Sequence, residues 1–494
     1  MNYDIHQGDL LAWCAAYEGE PFHALLCDPP YHLTEITKRF GAADAVPAQF
    51  GTDGAFQRAS KGFMGKQWDG GDIAFRPETW AALAQHLHPG AYGMAFASTR
   101  GYHRMACAIE DAGLIIHTML GWAFGSGFPK ATRIDVQIDR AAGAERPIIG
   151  TRKHAPKFDA KRHGYREKDN GYNSRERASF SVSAPATELA AAWEGHRYGG
   201  QAIKPAFEPI VVFQKPYQGR PVDSIARTGA GALNVDGGRI AHNEAIRVLK
   251  AQTTGHDFYR QAGRYEDKPE LKPEGRWPAN LILAHEPGCN GVCAPGCAVQ
   301  RLGEQSGVSE SSQPRGEYGT YEQRGNSIYG GNLGSATPNR PPIGDTGTAA
   351  RFFFNADWML DRLDDADPVR YVAKASTAER EAGLDGWERT TVDDGRQKSI
   401  DNPYQRGETE RRNTHPTIKP IDLCRYLATL LLPPSVYAPR RLLIPFSGAG
   451  SEMIGAGLAG WEHCQGIELE AEHVAIARAR LAWWIDVFGE SEAA

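Results

Sequence analysis

Hydrophobic and polar positions divide the chain into two ordered ends around a middle with little period. Residues 3–6 predict a short strand and 10–16 a helix, with Gly8-Asp9 between them. Residues 23–27 are apolar and short enough for a buried strand. That run continues as Leu25-Leu26-Cys27-Asp28-Pro29-Pro30-Tyr31. The prolines fix φ and donate no ladder hydrogen bond, so the strand must stop at Asp28. Residues 79–88 put Trp80, Leu83 and Leu87 on one helical face, which His88-Pro89-Gly90 should end. A strand over 91–98, a helix over 102–112 stopped by Gly113, and strands over 114–122 and 206–213 follow.

The other end is as regular. A strongly apolar helix is expected over 420–432, a strand over 440–446 and a tight glycine turn over 447–451. A helix over 452–458, a strand over 463–468 and a helix over 471–484 complete it. Strands alternating with helices at this spacing predict βαβ units, a mainly parallel sheet and an α/β fold. Between the ends, 218–400 holds only short apolar pieces such as 279–283 and 349–354, and 304–348 has few aliphatics. The expected organisation is 1–217, with irregular insertions at about 32–72 and 150–195, then an inserted second domain at 218–400, then 401–494.

Composition changes this picture little. At 41% hydrophobic, a chain of 494 residues can bury a real core. A net charge of −5 argues against simple nonspecific coating of nucleic acid. Locally, 151–180 holds nine Lys/Arg against four Asp/Glu, with Tyr165 and Tyr172 interleaved. A phosphate-tracking arm and a solvated flexible insertion both fit that stretch. No apolar run approaches the ~18–20 residues of a membrane span, and Met1-Asn2-Tyr3-Asp4 begins no secretory signal. The expectation is a cytoplasmic protein with no membrane partner, whose eight cysteines are thiols or metal ligands.

Three stretches carry candidate chemistry. Asp28 and Tyr31 sit at a rigid strand exit, where open α/β sheets bind ligands. A carboxylate, the Pro29 carbonyl and a flat ring suit a planar base with an exocyclic amine; a strand stop followed by a turn is the plainer reading. In the second stretch, a strand runs into Phe446-Ser447-Gly448-Ala449-Gly450, then a helix, then a strand ending in Glu468, 22 residues after Phe446. Such glycines let a ligand approach the backbone, and an acid at that distance accepts from a ribose. The third dinucleotide glycine and the Gly-Lys-Ser/Thr of a triphosphate loop are missing, so a nucleoside without phosphates fits better, pointing to S-adenosylmethionine. Thr417 and Lys419 open the preceding helix, a place to hold a carboxylate. In the third stretch, His285, Cys289, Cys293 and Cys297 are four soft ligands in 13 residues. They could close a tetrahedral structural zinc site, or be separate thiols in a loop.

Together, Asp28-Pro-Pro-Tyr31, His415-Pro-Thr-x-Lys-Pro420, Phe446-Ser-Gly-Ala-Gly450 and Glu468 resemble the β group of amino-DNA methyltransferases. In that group the catalytic motif comes first and the cofactor motif last. The runs Gly125-Ser-Gly-Phe-Pro-Lys130, Lys204-Pro-Ala-Phe-Glu-Pro209 and Arg276-Trp-Pro-Ala-Asn280 look like the orphan or phage-type site-specific methylases. The resemblance covers most of 1–135, 200–285 and 345–485. It implies a Rossmann-like, S-adenosylmethionine-dependent methyltransferase fold of permuted motif order, with 218–400 as target-recognition domain. It implies methyl transfer to adenine N6 of a flipped base in double-stranded DNA by Asp28, Pro29, Pro30 and Tyr31; a homodimer is compatible with it. Cytosine N4 is the alternative amine, and a catalytically silent sequence-specific DNA binder the alternative of another class. By the same carry-over, Glu468 would bind the ribose hydroxyls, Asp9 the cofactor's adenine amine (a helix cap being its other reading) and Phe446 would pack on the cofactor. Ser447, Gly448 and Gly450 would form its turn, with Thr417 and Lys419 near its carboxylate. Trp122 and Phe128 are candidates for the base pocket, with core packing the alternative for Trp122. Two departures stand out: Ile444 replaces the family's acid before Pro-Phe, and Gly450-Ser451-Glu452 replaces Gly-Thr-Thr.

Overall fold

The computed structural model describes residues 2–31, 72–124, 130–152, 180–203, 205–240, 246–248, 270–272, 277–283, 293, 297–310, 346–355, 377–392, 409–415 and 417–489. Its centre is one twisted sheet. In chain order the first half supplies β1 (Asn2–Gln7), α1 (Leu10–Ala16), β2 (Phe22–Cys27), α2 (Pro77–Gln85), β3 (Leu87–Phe96), α3 (Tyr102–Asp111), β4 (Ile115–Ile116), β5 (Leu120–Ala123) and β6 (Phe207–Gln214). Then come α4 (Pro221–Thr228), β7 (Leu281–Leu283) and β8 (Phe354–Asn355). The C-terminal part adds α5 (Ile421–Leu431), β9 (Arg441–Pro445), α6 (Ser451–Ala459), β10 (His463–Glu468) and α7 (Ala471–Gly489).

Across the sheet the order is β1-β10-β9-β2-β3-β6-β5-β7-β8, with β4 beside β6. Strands β1, β10, β9, β2 and β3 run parallel, and β6 is antiparallel to both its neighbours. This is a Rossmann-like α/β fold. Every strand of the parallel part ends at one edge, and β6 begins at that edge. From β9 the chain crosses to β10 on one side; from β2 it crosses to β3 on the other. The reversal falls between β9 and β2, which pair through Leu442 with Ala24 and Leu443 with Leu25. Ligand crevices of open α/β sheets form at such a reversal, outside the strand ends.

Strand alternation explains the two layers. On β2, Ala24 and Leu26 face one core with Ile444, Phe96 and Ile210, covered by α5, α6 and α7. Leu25 and Cys27 face the other, with Leu443, Trp80 and Ile109, covered by α1, α2 and α3. Because β2 is covered on both faces, all six of its residues are buried, and it reads as a continuous apolar run.

Some elements differ from expectation. The helix expected over 79–88 ends at Gln85, and Leu87 already pairs with Phe22, so His88-Pro89-Gly90 lies within β3. Here pairing to β2 overrides the local stop signal. The strand expected over 114–122 is two pieces, β4 and β5, both on β6. Within 218–400, β7 and β8 extend the main sheet beyond β5, and Asn234 N–H donates to the Leu430 carbonyl (2.7 Å). Among the described residues, no helix is long and apolar enough to cross a membrane.

Candidate active site

Asp28 leaves β2 in step with Ala24 and Leu26, and so on the side of the sheet that α5 covers. Helix α5 is apolar almost all round because it lies between the sheet and α6. Gly455 of α6 makes that close approach feasible: a Cβ there would lie 2.6 Å from the Arg425 backbone N. The packing fixes the start of α5, and Lys419, two residues before it, extends its ammonium under the strand ends. Nζ lies 4.7 Å from the Phe96 ring centroid and 5.1 Å from that of Tyr31.

Lys419 Nζ donates to Asp28 Oδ2 at 2.7 Å and to the Tyr31 hydroxyl at 2.8 Å, and pairs with Glu208 Oε1 at 2.9 Å. Tyr31 in turn donates to Glu208. Four polar side chains from the β2 exit, the start of β6 and the approach to α5 thus close one cluster, with two carboxylates against one ammonium. Burial alone would lower the Lys419 ammonium, but Asp28 and then Glu208 hold it above the usual lysine range. Burial pushes the Asp28 carboxyl up, with Glu208 adding to the rise and Lys419 opposing it. Burial followed by both carboxylates keeps the Tyr31 phenol well above its ordinary value. The second oxygen of Asp28, Oδ1, is buried and has no hydrogen-bond partner in the protein. A buried acceptor held by its sister oxygen and left open itself suits a donor from outside the chain.

Sequence reasoning missed Glu208 as a member of this site. The available signal was an acid between Phe207 and Pro209 at the mouth of an apolar strand. Lys419, expected beside the cofactor's carboxylate, has its ammonium bonded to Asp28, Glu208 and Tyr31. Trp122 faces Glu208 directly across the β5–β6 ladder. It is buried, packs at 4.8 Å from Phe124, and its indole N–H has no partner in the protein.

Across the reversal lies the glycine turn. Phe446, just past β9, has φ of 58°, the one non-glycine residue described in the left-handed region. Such a conformation costs about 1–3 kcal/mol and persists where surroundings over-determine it, typically at functional sites. Gly448 and Gly450 follow with φ of 49° and 79°. A Cβ on Gly448 would lie 2.8 Å from His415 Nε2, so the backbone passes that ring closely. His415 Nδ1 bonds the Thr417 carbonyl, and burial keeps the ring neutral, well below the ordinary histidine range. Ser447 Oγ is buried without a protein partner.

Glu468 ends β10, its Oε2 accepting from Gly448 N–H (2.9 Å) and its Oε1 from Glu470 N–H (2.9 Å). Oε2 keeps a lone pair for a hydroxyl, while Oε1 also faces His473 Nδ1 at 3.5 Å. Gly8 N–H donates to the Glu468 carbonyl (2.9 Å), which brings Asp9 to the same edge. Asp9 itself is exposed and caps α1, accepting from Ala12 N–H at 2.9 Å. Thr417 is exposed. The expected departures are also informative: Ile444 is fully buried in the core, and Glu452 is buried in the first turn of α6. Burial, and next the Asp28 charge, push the Glu452 carboxyl up to about 7.

The structure brings Asp28, Tyr31, Phe446, Ser447, Gly448, Gly450, Glu468 and Asp9 to one sheet edge, with Lys419 reaching it from α5. His285, Cys289 and Phe128 lie outside the described residues. Cys297 is buried with Leu283 and Val299, and Cys293 packs against them. Among the described residues no group of three or more His, Cys, Asp or Glu is placed to hold a metal.

Among solved structures, the chain is similar to the M1.HpyAVI–SAM complex at 11% identity and TM-score 0.31, over 97% of this chain and 98% of that one. It is similar to a Thermus thermophilus protein, described as a DNA modification methylase and complexed with S-adenosyl-L-methionine, at 11% identity and TM-score 0.30, over 98% and 96%. It is also similar to PvuII DNA methyltransferase, cytosine-N4-specific, at 9% identity and TM-score 0.32, over 99% and 92%. No family model matches the chain, and no curated protein matches it.

Proposed function

We propose that the chain is an S-adenosylmethionine-dependent DNA methyltransferase that modifies the exocyclic N6 of an adenine flipped out of double-stranded DNA. The observation that carries this reading is the open, buried Oδ1 of Asp28, anchored through Oδ2 by Lys419, at the sheet reversal beside the glycine turn. The turn fits a nucleoside. Glu468 Oε2 has acceptor capacity for a ribose hydroxyl, Ser447 Oγ is buried and open, and a side chain at position 448 would strike His415.

An exocyclic adenine amine is a poor nucleophile because its lone pair is delocalised into the ring. If one N–H donates to Asp28 Oδ1 and the other to the Pro29 carbonyl, the nitrogen turns toward sp³ and its lone pair is directed out of the ring plane. The cofactor supplies an electrophilic sulfonium methyl. The methyl would pass from the sulfonium sulfur to that nitrogen, leaving a neutral thioether, and one N–H proton would go to Asp28 Oδ1, the acceptor it faces. Lys419 fixes the carboxylate that faces the amine, Glu208 offsets that ammonium, and Tyr31, held by both, presents its ring to the base. Alignment and preorganised charge supply the acceleration. A duplex hides the amine, so the base flips at a few kcal/mol, which aromatic stacking partly offsets.

Asp28→Ala should reduce tritiated-methyl transfer to unmethylated DNA by more than about 10²-fold, the scale of losing a preorganised polar group. Cofactor binding should stay within a few-fold. Transfer at near wild-type rate by that variant would remove Asp28 from the chemistry. Identification of the methylated base in digested product DNA distinguishes adenine N6 from cytosine N4.

A further inference from the structure

Lys419 reaches Asp28 from the approach to α5, so the placement of its backbone decides where the ammonium goes. One segment, distant in sequence, grips that approach. It consists of a short helix, Thr377–Glu381, and the residues just after it. Before Lys419, Arg380 donates to the His415 carbonyl (2.5 Å), and Asn413 Nδ2 donates to the Arg380 carbonyl (2.8 Å). Leu384 is fully buried in one cluster with Ile418, Ala449 and Ile476. After Lys419, Glu379 Oε1 accepts from Ile421 N–H. The same segment therefore holds the chain on both sides of the lysine.

The bond from Glu379 answers a need of α5. Ile421 is the first residue of that helix, and the first N–H groups of a helix have no partner within it. Pro420 stands at the capping position and has no side-chain oxygen to offer. A carboxylate from outside the helix takes that place, and its charge suits the positive end of the helix dipole. Only Pro420, whose ring fixes φ, lies between this bond and Lys419.

The segment is tied in turn to the glycine turn. Arg480 of α7 is completely buried. Its Nη2 donates to the Glu379 carbonyl (3.1 Å), and its Nη1 to the Ala449 carbonyl and to Ser451 Oγ (3.3 Å). The rigid fork of one guanidinium thus spans the two backbones. Gly383 makes the close approach to α7 feasible: its φ is 83°, and a Cβ there would lie 2.9 Å from the Ala479 carbonyl oxygen. We infer that Glu379 is a positioning residue for methyl transfer. Its carboxylate sets the first turn of α5 and with it the reach of Lys419 to Asp28, and Arg480 joins that setting to the glycine turn. This inference rests on the proposed function for the reaction it serves.

The test uses the full chain with Glu379→Ala, Glu379→Gln and Glu379→Asp. Single-turnover methyl transfer to unmethylated DNA at saturating cofactor reads the chemistry, and calorimetric titration reads cofactor affinity. Acetic anhydride labelling followed by mass spectrometry reads the protection of the Lys419 amine. Glu379→Ala should slow saturated transfer by about 10- to 100-fold, the scale of a misplacement near 1 Å. Its cofactor affinity should stay within a few-fold, and Lys419 should take up label. Glu379→Gln keeps an acceptor oxygen for Ile421 N–H, so its rate should return to within a few-fold of wild type, with Lys419 protected. Glu379→Asp keeps the charge but withdraws the carboxylate by one methylene. It should fall between the other two, and it carries the test if the alanine variant does not fold.

A purely structural role would lower the melting temperature of Glu379→Ala and leave its saturated rate at the wild-type value. That outcome, with Lys419 protected, would overturn the inference while leaving the methyltransferase reading intact. Equal slowing in the alanine and glutamine variants would give the effect to charge rather than to the bond, and would also overturn it. A wild type that transfers nothing to DNA would sink the methyltransferase reading, and labelling would then decide alone. Label on Lys419 in Glu379→Ala but not in Glu379→Gln would still support the positioning of Lys419 by Glu379; protection in both would end it.

Discussion

The two halves of the site are held by different physics. The glycine half is built from backbone: a strained Phe446, two left-handed glycines and Glu468 tied to Gly448 N–H, all within 23 residues of chain. The catalytic half is built from charge: Asp28, Tyr31, Glu208 and Lys419 come from three separate stretches. Lys419 and Asp28 are 391 residues apart in sequence. A backbone-built site depends on conformation and tolerates little added volume. A charge-built site depends on balance, because removing one member leaves the others buried and uncompensated. Substitutions should therefore fail differently in the two halves.

The largest effect is expected from Lys419→Met. It keeps much of the apolar stem over Phe96 but leaves two carboxylates and Tyr31 without their cation. Breaking a buried pair from one side costs about 3–5 kcal/mol, and methyl transfer should be lost with it. Glu208→Gln keeps a hydrogen-bonding partner for Tyr31 and Lys419 and removes one charge, so its loss in stability should be smaller. Thermal melts and single-turnover transfer on both variants check the ordering. A Lys419→Met protein as stable as wild type would show that the cluster does not behave as a charge-built unit.

A smaller and differently shaped effect is expected from Gly448→Ala. Its φ of 49° costs an L-residue roughly 1–2 kcal/mol, and the methyl group would meet His415 Nε2 at 2.8 Å. The cofactor side of the site should give way first. Cofactor affinity should fall by about tenfold, equivalent to about 1.4 kcal/mol, while single-turnover transfer at saturating cofactor stays within a few-fold of wild type. Calorimetric titration and single-turnover rates separate the two. A variant whose cofactor affinity holds while its saturated rate collapses would reverse the comparison.

The same division explains what could be read from the sequence. The glycine half was legible because its determinants are local: a strand, Gly-x-Gly, a helix and an acid at fixed spacing. The Asp28 strand exit was legible for the same reason, since two prolines leave few conformations. The partner of Lys419 was not, because nothing near residue 419 announces an acid across the sheet; only the packing of α5 brings it there. Glu208 was hidden for a related reason. It lies on a strand whose apolar pattern describes the core, and its role comes from the antiparallel turn of β6, which carries that strand's start to the catalytic edge.

Glu452 joins the two halves, and the effect expected there is on stability and its pH dependence. It follows the glycine turn in sequence, yet its carboxyl is raised to about 7 first by burial and then by Asp28. Its ordinary value is 4.5. Between those values the folded protein holds more protons at this site than the unfolded chain, so stability falls as pH rises through the interval. The penalty is absent well below the lower value and complete above the higher one. Glu452→Gln mimics the protonated acid at every pH. The variant should therefore melt at higher temperature than wild type at about pH 8, and the gap should shrink as the pH is lowered to about 5. Melting curves of both proteins over that range measure it. A gap that stays constant would mean that Glu452 is already ionised and compensated in the folded protein, and the two halves would then be electrostatically separate. A gap that closes with falling pH would show that the charge built around Asp28 reaches into the first turn of the helix that the glycine loop begins.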